Sequence, residues 1–164
     1  LAAIQLQVEA ALDYDKLLDK LRGSEGEKNI RDQQNALITS LNLRLNGVSK
    51  KRTRLYEDYA EGLLDEAEYS FAKKSYDEQY ADLSRRLDEA VQRRSKFDEA
   101  MSVDNKWITL MKSVSTATQL SQDLVDESVE LVKVHEGGAV ELVMKYGDIY
   151  ELTIQSIKEV QEAM

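Results

Sequence analysis

The chain has 164 residues, 42% hydrophobic and 32% charged, and its 31 acidic against 22 basic side chains leave a net charge of −9. That length suits one domain, or one domain with an appendage. The lack of cysteine excludes a disulfide scaffold and any thiolate zinc site within these residues, and no apolar run reaches the roughly 18 residues of a membrane span. The acid excess argues against a stand-alone nucleic-acid binder.

There is no proline, and the mean hydropathy is −0.51, so long uninterrupted helices are permitted. No secretory signal is visible and the chain opens mid-pattern at Leu1, which reads as a piece of a larger polypeptide.

Ile4, Val8, Ala11 or Leu12, Leu18 and Leu21 recur at helical spacing and predict a helix through Arg22, ended by Gly23-Ser24-Glu25-Gly26. Two heptad seams follow. One runs Ile38, Leu41, Leu45, Val48, Arg52, Leu55, Tyr59, and the other runs from Tyr69 through Lys73, Tyr76, Tyr80, Leu83, Leu87, Ala90, Arg94 and Phe97 to Met101. Both alternate steps of three and four, the rhythm of a coiled coil.

Between the seams, Gly62 can end the first helix in the left-handed conformation. Asp65 and Glu68 can form a capping box, with Leu64 and Tyr69 as its hydrophobic staple. Folding back at the Leu63–Leu64 connection makes the seams face each other symmetrically, Tyr59 with Tyr69, Val48 with Tyr80, Leu41 with Leu87. Two arms of about 35 residues would each be roughly 50 Å long. Gly47 is the weak point, and Arg52, Lys73 and Arg94 must lay their stems on the seam and send their charges to water.

After Met101 the heptads stop. Trp107 to Met111 is an apolar cluster fit for a helical turn, Ser121 can cap a helix through Glu130, and Leu131–His135 and Ala139–Tyr146 alternate about a Gly137-Gly138 turn. A two-stranded hairpin is marginal alone, so Glu151–Ile154 is expected to add a third strand before a helical C-terminus. The expected fold is mainly α. A long antiparallel coiled-coil helix hairpin, residues 25–102, is inserted in a small α/β base, residues 1–24 and 103–164, that ends in a β-hairpin.

Little catalytic chemistry is legible. His135, the only histidine, stands at a strand end beside Glu136, with no oriented nucleophile or ligand set near it in sequence. No phosphate-binding, nucleophile-elbow or zinc-protease motif occurs. The turn between the seams says more. Six carboxylates and no basic residue lie between Leu55 and Ala72, among Tyr56, Tyr59, Leu63, Leu64, Tyr69 and Phe71. Leu63 and Leu64 cannot both be buried in a two-helix turn. An acidic, apolar end suits a protein partner and repels phosphate, so Tyr56, Tyr59, Leu63, Leu64 and Tyr69 are the candidate contact residues. Lys50, Lys51, Arg54, Arg85 and Arg93 stand in basic stretches of the shafts. They can follow DNA, meet an acidic partner, or simply pair along a solvated helix.

Leu55-Tyr56-Glu57-Asp58-Tyr59, then Glu61-Gly62-Leu63-Leu64-Asp65 and Glu68-Tyr69, resembles the hairpin tip of large serine site-specific recombinases of the resolvase/invertase lineage, the type found in phage integrases and mobile elements. Leu120-Ser121-Gln122-Asp123-Leu124-Val125-Asp126, Val132-Lys133-Val134-His135 and Tyr146-Gly147-Asp148 are similar to that family's C-terminal segment. Leu1-Ala2-Ala3-Ile4-Gln5 is similar to the helix after its zinc cysteines.

The resemblance implies a C-terminal fragment of a recombinase, its base a remnant of the zinc-ribbon domain and its coiled coil contacting other subunits in synapsis and in setting direction. Catalytic serine and zinc cysteines are missing here, so no catalytic, metal or cofactor-binding residue carries over. This fragment is not expected to be an enzyme, and zinc is expected upstream. The expected partners are other recombinase subunits through the tip and DNA mainly through other domains, with no membrane and no small-molecule substrate, in a cytoplasmic, DNA-associated setting. The competing expectations are a structural or adaptor coiled coil with no DNA role, and a nucleic-acid-binding arm.

Overall fold

The computed structural model describes residues 2–117, 119 and 121–164. Its helices are α1 (Ala2–Leu21), α2 (Glu25–Ala60), α3 (Glu66–Met101), α4 (Lys106–Ser113), α5 (Gln122–Ser128) and α6 (Gly147–Glu162). Its strands are β1 (Val129–Val134) and β2 (Val140–Met144). The chain is mainly helical, with long helices packed antiparallel and a two-stranded antiparallel sheet near the C-terminus. Among the described residues, no helix is long and apolar enough to cross a membrane. Two compact units form, Leu1–Ile30 with Ser95–Met164, and Arg31–Arg94.

In the unit Arg31–Arg94, parts of α2 and α3 run antiparallel. Leu41, Val48, Leu83 and Ala90 are buried, with Ile38, Leu45, Tyr76, Tyr80 and Leu87 packed against them. Every one of these belongs to a predicted seam. The long polar seam residues Arg52 and Lys73 are exposed. The guanidinium of Arg52 also lies 4.8 Å from the centroid of the Tyr80 ring and pairs with Asp77 at 2.8 Å. The ring face attracts the planar cation, and Asp77 neutralises it.

In the other unit, α1 packs on α4 and α6 around Trp107, Leu18, Met111 and Val160. Tyr14, Trp107 and Tyr150 form an aromatic trio, the last two with centroids 4.7 Å apart. The stretch Gly23-Ser24-Glu25-Gly26, read as a helix stop, is also a helix start. Gly23 turns at φ +74°, and the Ser24 hydroxyl accepts from the N–H of Glu27, while the Glu27 carboxylate accepts from the N–H of Gly23. Gly26 then meets α6 so closely that a Cβ there would lie 2.3 Å from the Val160 carbonyl oxygen.

Buried Asn105 organises the connection after α3. Its amide donates to the Ala100 carbonyl and the Thr153 hydroxyl, and its oxygen caps α4 through the N–H of Ile108.

Three local expectations change. The helix that Ser121 caps ends at Ser128, and Glu130, expected within it, lies in β1. Trp107–Met111 belongs to a full capped helix, α4. Glu151–Ile154 is not a third strand but the middle of α6, because Ile149, Thr153, Ser156, Ile157 and Val160 are buried at spacings of three and four. The two-stranded sheet therefore keeps only β1 and β2, paired Val134 with Val140 through Leu131 with Val143, with a bulge between Val129 and Leu131. Leu1 and Leu120, used in the family resemblance, lie outside the described residues.

Candidate functional site at the helix turn

The turn from α2 to α3 is tightly specified by its backbone. Gly62 takes φ +76°; the N–H of Leu63 donates to the Asp58 carbonyl and the N–H of Gly62 to the Tyr59 carbonyl. This is a Schellman stop, which needs a residue without a Cβ at Gly62. Three residues later the capping box forms as expected: the Glu68 N–H donates to Asp65 Oδ1 at 2.8 Å, and the Asp65 N–H to Glu68 Oε2 at 3.0 Å.

On this frame, the rings of Tyr59 and Tyr69 stack with centroids 4.3 Å apart and planes inclined 16°, and Leu55, one helical turn before Tyr59, is buried. The symmetric seam pairing thus holds at its last step. The remaining apolar side chains face water: Leu63 is 67% exposed, Tyr56 62% and Phe71 80%, with Leu64 half-buried. Asp58 approaches Arg54 at 4.0 Å, whereas Glu57, Glu61 and Glu66 have no ion pair among the described residues. What the turn offers is an acidic, partly apolar surface on a backbone fixed by these hydrogen bonds.

The five basic candidates differ from one another. Arg85 is held between Asp82 and Glu89, at 2.7 Å from each, and the hydrogen bond to Asp82, then that to Glu89, raises its pKa. Arg54 makes the Asp58 pair just described. Lys50 and Lys51 are exposed without an ion pair among the described residues, and Arg93 is exposed. His135 contacts Glu141 at 2.9 Å across the β-turn, beside the Lys133–Glu141 pair at 3.0 Å.

A feature that sequence reading missed lies in the other unit. A cleft of about 930 Å³ is lined by Trp107, Val143, Met144 and Tyr150 together with Glu130, Asp148 and Glu151. These residues come from α4, both strands and α6, so no local motif could announce them. Only the excess of 10 acids over 3 bases in residues 120–164 hinted at an acidic surface there.

No protein-family model matches the chain, and neither a characterised protein nor a solved structure matches it.

Proposed function

We propose that this chain is the C-terminal part of a large serine site-specific DNA recombinase, with α2 and α3 forming an antiparallel coiled-coil arm. The arm's tip recognises other recombinase subunits during synapsis, while the rest helps hold the DNA site. One observation supports this most. Leu63 and Tyr56 stay exposed on a turn whose backbone is pinned by a Schellman stop and a capping box, so apolar surface is offered without the flexibility that would cost a partner ordering entropy. The engagement of Arg85 and Arg54 with carboxylates of their own helices favours protein contact over DNA contact along the shafts.

The test begins with the parent gene, which should encode zinc-spaced cysteines and a catalytic serine domain upstream. In the full-length enzyme, Leu63→Asp and Tyr59→Ala should abolish synapsis in a gel-shift assay while single-site DNA binding persists. Unchanged synapsis overturns the tip assignment. A parent without the serine domain overturns the recombinase reading and leaves an adaptor coiled coil.

A further inference from the structure

We propose that one face of α2 is a docking surface for a second copy of this chain, the two α2 helices lying antiparallel. Spacing defines the face. Gly47, Lys50, Arg54, Glu57 and Glu61 follow steps of three and four residues, which keep them on one side of a helix. It is not the side that meets α3, whose α2 members Leu41, Val48 and Leu55 are buried. Lys50, Arg54, Glu57 and Glu61 together line one groove of about 470 Å³, and all four are exposed.

Charge along this face runs from basic to acidic, so the face is complementary to itself when turned end for end. A two-fold axis between Arg54 and Glu57 sets Lys50 against Glu61 of the second copy and Arg54 against its Glu57, and repeats both pairs. Sliding one copy by a heptad opposes bases with bases or acids with acids, and a parallel arrangement opposes every charge with its own kind. Lys50, Glu57 and Glu61 have no ion pair among the described residues, and Arg54 meets Asp58 only at 4.0 Å. The net charge of −9 does not oppose the contact here, because residues 31–94 hold 12 basic and 12 acidic side chains.

Gly47 is a second, independent observation. Glycine inside a helix is unfavourable beside alanine, yet Gly47 serves no turn: its φ is not positive, and a Cβ there would meet no heavy atom within 4 Å. In the antiparallel register Gly47 lies opposite the turn of the second copy, where Leu63 is 67% exposed. The missing side chain gives that leucine a place to pack and lets the backbones approach. The face spans roughly 22 Å of helix, so the contact is small and belongs with weak, transient interfaces.

The contact is a property of this chain alone, so its failure leaves the recombinase reading to its own test. Analytical ultracentrifugation of the intact chain at low salt, from about 10 µM to about 1 mM, should show the mass rising from 18.7 kDa toward twice that value. Salt at about 0.5 M should return it to the monomer. Lys50→Glu with Arg54→Glu makes the face wholly acidic, and Glu57→Lys with Glu61→Lys makes it wholly basic. Each double variant alone should associate at least about tenfold more weakly, and an equimolar mixture of the two should associate at least as well as the parent. These side chains are exposed, so far-UV circular dichroism should stay unchanged. A chain that stays monomeric to about 1 mM, association that both reversals leave unaltered, or a mixture that does not associate overturns the proposal. Gly47→Gln should weaken association severalfold by filling the space opposite Leu63, and unchanged association overturns the part assigned to Gly47.

Discussion

The same substitution at two glycines of α2 should move stability in opposite directions. At Gly47 a Cβ meets no heavy atom within 4 Å, in the middle of a 36-residue helix. Gly47→Ala should therefore stabilise by up to about 1 kcal/mol, the helix-propensity difference between the two residues. At Gly26 the added Cβ would lie 2.3 Å from the Val160 carbonyl oxygen and 2.7 Å from Met164 Cγ. The methionine end can swing away, but the carbonyl belongs to the backbone of α6, so the helices must separate by roughly 1 Å. Overpacking of this kind costs about 1–3 kcal/mol. The propensity gain, smaller in the first turn of a helix, cannot offset it, and a net loss of about 1–2 kcal/mol is expected.

Urea unfolding of both variants reads the two units separately, through Trp107 emission for the unit that contains it and far-UV circular dichroism for all helices. Gly26→Ala should lower the emission midpoint, and Gly47→Ala should raise or hold the dichroism midpoint. A Gly26→Ala chain as stable as the parent would refute the close approach of α2 and α6. A destabilised Gly47→Ala would refute the open flank.

Asp65→Ala should cost about 1 kcal/mol in thermal or urea unfolding through loss of the α3 cap, while Asp65→Asn, which still accepts, should cost less. Asn105→Ala should destabilise by about 2–4 kcal/mol, because it removes the α4 cap and leaves the buried Ala100 carbonyl without its donor; the emission midpoint checks it. Glu141 is held below the usual carboxylate range, first by its hydrogen bond from Lys133 and next by that from His135. A depressed folded value means that its stabilisation is present above the unfolded value near 4.5 and disappears as pH falls through the lower folded value. An NMR titration of the Glu141 carboxyl should show the low value in the parent and a rise toward 4.5 in Lys133→Met.

The helix pair was legible because its information is local and periodic. Leu41, Val48, Leu83 and Ala90 recur at steps that only a helix turns to one side, and Gly62, Asp65 and Glu68 are short-range signals whose hydrogen-bond partners lie within five residues. The C-terminal region was less legible. Glu151-Leu152-Thr153-Ile154 alternates like a strand over four residues, too short a window to tell period 2 from period 3.6, and burial of Thr153 against Asn105 resolves it as helix.

At the turn, composition named the right residues, and geometry sorted them. Tyr59 and Tyr69 serve the stack that closes the pair, whereas Tyr56, Leu63 and Phe71 remain outside. Arg54 and Arg85 could not be separated from Lys50 and Lys51 by composition, because their pairs depend on a carboxylate four residues further along the same helix and on the rotamers that close the contact.

From its sequence alone, this chain is committed to two long antiparallel helices joined by a capped turn, since propensity, heptad spacing and capping all act within a few residues of one another. The tertiary structure alone decided which charges are compensated, how close α2 and α6 come at Gly26, and that Trp107, Glu130, Asp148 and Glu151 border one cleft. Those properties join residues from segments far apart in the chain, and packing, which has no period in sequence, brings them together.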